Sequence, residues 1–267
     1  MINRRTIIVG GAAAATVFSL FPARSQVMTG RSFDWKGSEF LSGGTANVPG
    51  SLPEPVFRSA PNCVTTGCKT LGPCYMEDPE ERYDISEGFT GLPVRIAMRV
   101  VDAAGCEPIE GANVDIWHAN ARGIYSGEDT AAMCTMDDAE ATASEAFRGY
   151  GVTDSDGRVE FLTVYPGWYR GRTVHIHMRI LVDGEELLVS QLLFDDALSD
   201  LVYADHPDYA GRGERDTDNA ADNIFASDEY GDYVFDVERA DGVLLASYTI
   251  GVDRQGKCEE GPMRPPA

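Results

Sequence analysis

An all-β fold, an antiparallel β-sandwich with long covering loops and an extended N-terminal arm, is the architecture that this sequence predicts. Three observations carry that expectation. From residue 94 to residue 252 the chain runs through eight short stretches that alternate apolar and polar residues or stay apolar for a few positions. Successive side chains of a strand face opposite sides, so alternation marks one buried face and one wetter face. Turn sequences separate the stretches, among them Asp154-Ser155-Asp156-Gly157, Asp183-Gly184 and Asp241-Gly242. Asp-Gly pairs supply the positive φ angles that tight hairpins need. Beyond residue 25, no apolar run reaches the roughly 18 residues that span a bilayer. Many short strands at regular spacing indicate a sandwich, and 267 residues can bury a full core.

Taken in order, residues 1–25 read as a twin-arginine export signal. Arg4-Arg5 precede a short Gly/Ala-rich apolar run to Phe21, and Ala23 and Ser25 end it as small-x-small. Residues 26–267 follow as one domain without internal repeats, and its first part, 26–91, is the arm. Within it residues 26–62 are rich in Gly, Ser, Pro and Asn, and three cysteines fall between Cys63 and Cys74, which suggests a stapled loop. Strands are expected at Val94–Asp102 and Ala112–His118. The acidic, alanine-rich stretch 128–147 reads as an excursion with one helical turn, tethered by Cys134. Arg148–Thr153 and Arg158–Val164 flank the Asp154–Gly157 sequence, read as a hairpin turn. A calcium loop is a poor fit there, because the further EF-hand ligands are missing. Strands at 175–182 and 186–194 come next, then a long polar loop over 195–228, then a closing hairpin, 233–239 with 243–252, around Asp241-Gly242.

The formal charge of −21 excludes a nucleic-acid surface and disfavours anionic lipid. The signal carries Arg4, Arg5 and Arg24 and no acid, so the remainder is more acidic still. A soluble protein, periplasmic or secreted and free of the membrane once the signal is removed, is expected. Six cysteines follow the signal, namely Cys63, Cys68, Cys74, Cys106, Cys134 and Cys258. An even count in an exported chain predicts up to three disulfides, with fifteen pairings open. No Cys-x-x-Cys is present, which argues against a zinc ribbon.

The chemistry concentrates in Tyr165-Pro166-Gly167-Trp168-Tyr169-Arg170-Gly171-Arg172-Thr173-Val174-His175-Ile176-His177, which holds two of the four histidines. On a strand His175 and His177 point to one side, close enough to share a metal ion. A tyrosine six residues before them makes the donor set unusual. Imidazole suits several transition metals, whereas phenolate, a hard anion, favours a hard, highly charged ion such as Fe(III). A phenol of ordinary pKa about 10 binds as phenolate only in the field of a metal.

With these residues in view the chain resembles the intradiol ring-cleavage dioxygenases, which include catechol 1,2-dioxygenase and protocatechuate 3,4-dioxygenase. The resemblance rests on Ala112 to Ser126, Arg148-Gly149-Tyr150-Gly151, Asp154 to Arg158, Pro166-Gly167-Trp168-Tyr169 and His175-Ile176-His177, in that order over roughly residues 83–195. It implies non-haem Fe(III) held by Tyr125, Tyr169, His175 and His177, with Tyr169 and His177 axial. It implies a catechol-like diol and O2 as substrates and a muconate-type diacid as product. Tyr169 is then expected to leave the iron and take a proton from the diol. Arg172 matches an arginine that stabilises negative charge on the substrate, and Gln191 a glutamine beside the iron. The catalytic core is expected at 92–253.

His118 matches no ligand position and is expected to pack beside Trp117, and His206 matches no role. Tyr165 and Trp168 fit a pocket wall or an ordinary core equally. Cys74 stands in Gly72-Pro73-Cys74-Tyr75, where the family often has an aromatic, and the 128–147 excursion lengthens the gap from Tyr125 to Tyr169. The helical dimerisation domain of the catechol enzymes is missing. These departures leave substrate and oligomeric state open. Two other readings compete: a transthyretin-like module that binds aromatics or carbohydrate without catalysis, and a zinc hydrolase using His175 and His177. The second lacks a carboxylate at ligand spacing.

Overall fold

The alternation in the sequence closes into two four-stranded sheets packed face to face. The structure, a computed structural model, describes residues 32–35, 38–57, 63–128, 130–225 and 229–256. The expected export signal and Cys258 lie outside these residues. The strands are β1 (Ser32–Trp35), β2 (Ser38–Leu41), β3 (Pro93–Asp102), β4 (Asn113–Trp117), β5 (Arg148–Val152), β6 (Arg158–Val164), β7 (His175–Val182), β8 (Glu185–Leu193), β9 (Asp236–Ala240) and β10 (Val243–Val252). One sheet runs β6-β3-β10-β9 and the other β5-β4-β7-β8. Their inner faces meet in one core: Ile96, Met98, Phe161, Leu244 and Ile250 on one side, Val114, Ile116, Ile176, Met178 and Leu192 on the other.

Two hairpins form as the turn chemistry dictates. Asp183-Gly184 joins β7 to β8 and Asp241-Gly242 joins β9 to β10, each residue at positive φ. The Asp154–Gly157 turn behaves otherwise. It is tight, with Gly157 N–H donating to Asp154 O at 2.9 Å, yet it joins strands of different sheets, β5 pairing with β4 and β6 with β3. It is a corner of the sandwich and not a hairpin: the apolar face of β6 finds a longer partner across β3. The sheets are antiparallel with one exception. β3 and β10 pair in parallel from Leu244↔Val94 to Val252↔Asp102. Both are central, almost wholly buried ten-residue strands, the environment parallel pairing favours.

Three segments are more ordered than expected. The arm begins with the β1–β2 hairpin and then lies along the first sheet, where Arg95 donates to the Pro53 carbonyl at 2.9 Å and Ser247 to that of Val56 at 3.0 Å. The 128–147 excursion holds two one-turn helices, α1 (Ala132–Thr135) and α2 (Ala139–Thr142). The stretch 195–228, expected as a loop, contains α3 (Asp196–Asp205). Asp195 caps α3 by accepting from Leu198 N–H at 3.1 Å. Leu198, Val202 and Tyr203 form its buried stripe.

The cysteines pair, as their even count predicts. Cys63 joins Cys106 and Cys74 joins Cys134, Cys68 is also disulfide-bonded, and none among the described residues is free.

Candidate metal centre

The site grows from a row of side chains on the outer face of the second sheet. Register sets Trp117 of β4 opposite His177 of β7, and His177 opposite Gln191 of β8. Trp117 stacks on the His177 ring, centroids 4.8 Å apart and planes 9° apart. Gly72 closes on the same ring: a Cβ there would lie 3.1 Å from His177 Cε1, and its φ of +77° suits glycine. His175, two residues back on the same face, donates Nδ1–H to the Thr173 carbonyl at 2.7 Å. That bond leaves its Nε2 with an outward lone pair.

Two loops bring tyrosines to this face. Tyr125 follows β4, and its backbone N–H donates to Cys134 O at 2.9 Å, so the Cys74–Cys134 disulfide braces it. Tyr169 lies on the 165–172 loop. Its Oη stands 3.1 Å from His175 Nε2; Tyr125 Oη stands 3.3 Å and His177 Nε2 3.2 Å from the same nitrogen. The two phenol oxygens are 3.5 Å apart. His175 Nε2 has one lone pair for three neighbours within 3.3 Å, and the buried His177 Nδ1 has no hydrogen-bond partner, so hydrogen bonds alone leave the cluster unsatisfied. A cation satisfies it: with bonds of about 2.0–2.1 Å, adjacent donors lie roughly 2.9–3.6 Å apart. The residues present therefore fit a metal ion.

Burial fixes the charge states. It holds both histidines well below their ordinary range and so keeps them neutral, with the Arg172 cation adding to the effect. It pushes both phenols up, against the pull of Arg172. Four neutral donors thus face one another, and a multivalent cation held among them would draw off the phenol protons. Among the described residues no group of three or more His, Cys, Asp or Glu could hold a metal; the donors gathered here are two imidazoles and two phenols.

Arg172 and Gln191 lie beside the four donors, so the six residues expected from the sequence as ligands or catalytic groups are brought together. Arg172 donates Nη2–H to Gln191 Oε1 at 2.5 Å and Nε–H to Asp222 Oδ2 at 2.9 Å, and Gln191 donates onward to the Thr70 carbonyl at 2.9 Å. His118 is a packed histidine, lowered to about 4 by burial and bonded to Ala119 O and Thr163 Oγ1. His206 is buried and bonds the Leu41 carbonyl, holding the arm. Tyr165 belongs to the core, its hydroxyl 2.8 Å from Ser199 Oγ. Trp168 packs on that core beneath the Arg212 guanidinium. Sequence reasoning missed Asp222, Trp117 and the role of Gly72. The Gly72-Pro73 pair was a visible signal, whereas Asp222 is one acid among many.

A sequence model of a family described as dioxygenase matches residues 72–238, well over half of the chain. The protocatechuate 3,4-dioxygenase beta chain of Burkholderia cepacia is 32% identical over 139 residues, 48% of this chain and 55% of that protein. Catechol 1,2-dioxygenase of Pseudomonas sp. (strain EST1001) is 30% identical over 177 residues, 60% of this chain and 56% of that protein. The chain thus spans about half the length of these curated relatives. The solved intradiol ring-cleavage dioxygenase from Tetranychus urticae superimposes with a TM-score of 0.65 at 27% identity, over 74% of this chain and 98% of that one. The match from Gly72 onward takes in the whole tyrosine–histidine cluster, and the chain belongs to the intradiol ring-cleavage dioxygenase family.

Proposed function

We propose that the chain is a non-haem Fe(III) dioxygenase that opens a catechol-type ring between its two hydroxylated carbons, taking up both atoms of O2 and giving a muconate-type diacid. The observation that carries this reading is the crowding of Tyr125 Oη, Tyr169 Oη and His177 Nε2 around the single lone pair of His175 Nε2. Tyr125, Tyr169, His175 and His177 would hold the ion. A ferric ion bound there supplies a Lewis acid that draws electron density from a chelated diol and opens its ring to O2. The two tyrosines divide the remaining work by exposure. Tyr125 is buried at 3% exposure, suited to staying in place, and Tyr169 is only partly buried on its loop, suited to swinging out and taking a diol proton at Oη. Arg172, fixed beside Gln191, offers N–H groups to negative charge developing on the substrate. Trp117 and Gly72 close on the His177 ring and keep water from that side. Loading releases two phenol protons, so iron affinity should rise with pH.

The same reading treats residues 26–267 as one domain, arm 26–91 and core 92–253, exported behind the 1–25 signal. Disulfides suit an oxidising compartment. The test is metal analysis of the protein purified from the periplasm, followed by oxygen uptake with catechol, protocatechuate and hydroxyquinol. Iron with an intense visible band, and oxygen consumption with at least one diol, support the proposal. Zinc, or a metal-free protein that binds a diol without consuming oxygen, contradicts it.

A further inference from the structure

Asp222 lies beyond α3, in the described stretch 206–225, and nothing in its local sequence sets it apart. Its side chain is wholly buried and its hydrogen bonds are directed at the site. Oδ2 accepts from Arg172 Nε at 2.9 Å and from the Thr173 backbone N–H at 2.7 Å, and Oδ1 accepts from Ile224 N–H at 2.8 Å. Each of the first two bonds leads to a candidate functional group one step away.

The first step passes through the guanidinium. Arg172 is gripped at both ends, by Asp222 on Nε and by Gln191 on Nη2, and Gln191 is itself tied to Thr70. A planar guanidinium held at two edges has one orientation, whereas an arginine held at one edge rotates about its stem. The second step passes through the peptide. The bond to Thr173 N–H fixes the residue whose carbonyl receives His175 Nδ1–H at 2.7 Å, and that bond selects the tautomer that turns the Nε2 lone pair toward Tyr125, Tyr169 and His177. Asn219 supports the same residue: Thr173 Oγ1 donates to its Oδ1, and its Nδ2 donates to Phe194 O at 2.9 Å.

We infer that Asp222 is a positioning residue of the proposed dioxygenase centre, which orients the Arg172 guanidinium and, through Thr173, the metal-facing nitrogen of His175. The inference rests on the functional reading above and goes beyond it in assigning a task to a residue outside the expected ligand set. Groups that orient the ligands of a metal typically carry 10- to 100-fold effects on affinity or rate.

The test uses the full-length, iron-loaded protein and compares wild type with Asp222→Asn, Arg172→Ala and the double variant. Asp222→Asn should shift the maximum of the visible band and lower kcat roughly 10- to 100-fold, with KM moved less than kcat. Because one of the two routes from Asp222 runs through Arg172, the double variant should lose clearly less kcat than the product of the two single losses, and the further loss beyond Arg172→Ala reports the route through Thr173 and His175. Arg172→Lys keeps the charge and loses the two-edged grip, and it should lose activity to a similar degree, so the inference stays testable if Asp222→Asn fails to fold. Four results overturn it: an Asp222→Asn band at the wild-type position, an unchanged kcat, losses that multiply in the double variant, or an Arg172→Lys protein as active as wild type. A colourless, inactive wild type overturns the functional reading and this inference together, whereas a coloured, active wild type with unaltered variants overturns this inference alone.

Discussion

The outer faces of the two sheets make an instructive pair. Both are polar, and both are covered by the N-terminal part of the chain, one by residues 51–57 and the other by residues 63–75. On the first sheet the charges come in opposite pairs: Arg95 and Arg158 share Glu160 at 2.7 Å each, and Arg158 also reaches Glu54 at 2.9 Å. The charges of Arg95, Arg158, Glu160 and Glu54 are thus balanced by the protein alone. On the second sheet the row Trp117–His177–Gln191 sits beside His175, with Tyr125 and Tyr169 above, and its donors converge on one another with no counter-charge among them. The same strand alternation thus builds an inert face where charges are balanced, and a candidate metal centre where neutral donors are left facing one another.

That contrast can be broken or sharpened by substitution. The largest effect should come from His177→Ala, which removes a donor outright. Iron retention should fall at least about 100-fold, more than the loss of a supporting group produces, and the visible band should vanish while the far-ultraviolet spectrum keeps its β signature. Equal iron content in variant and wild type would falsify the ligand set. Next is the covering itself. Replacing Cys74 and Cys134 together with serine opens a link between positions 60 residues apart and should cost about 2–4 kcal/mol in chemical denaturation. It should also loosen iron, because Tyr125 leans on Cys134; a full loss of stability with iron binding unchanged would show that the brace does not reach the site.

Asp115, on the same face, gives a pH test. Burial lifts its carboxyl to about 6 from an ordinary 3.8. The folded protein then keeps a proton there that the unfolded chain has released, so its contribution is fullest below about pH 4 and is lost as pH rises through about 6. A gap of that size is worth up to about 3 kcal/mol. Asp115→Asn cannot titrate, and the stability difference between wild type and variant should change across pH 4 to 7 by that order. A difference that stays flat would show that the carboxyl is not shielded from water. The smallest effect belongs to the balanced face. Arg158→Ala should cost no more than about 1 kcal/mol and leave the colour untouched, and bleaching by this variant would erase the distinction between the faces.

Much of this was legible in the sequence, for local reasons. The strand period, the Asp183-Gly184 and Asp241-Gly242 hairpins and the His175-Ile176-His177 pair are written in neighbouring residues, and neighbouring residues decide them. What escaped is non-local. The parallel pairing of β3 with β10 joins strands about 150 residues apart in the chain, and alternation carries no sign of strand direction. The Asp154–Gly157 turn looks the same whether its strands pair or part. Helix α3 hid because Leu198, Val202 and Tyr203 make a thin apolar stripe among acids. Asp222 gained its place from tertiary packing alone.

The central claim is that Tyr125 and Tyr169 become phenolates on a ferric ion, and the visible spectrum tests it most directly. Phenolate donation into Fe(III) gives a charge-transfer band, so the iron-loaded, air-oxidised protein should be wine-red to purple. Tyr125→Phe and Tyr169→Phe should each bleach or shift that band without unfolding the sandwich. A colourless wild type, or a band unmoved in both variants, would contradict the account.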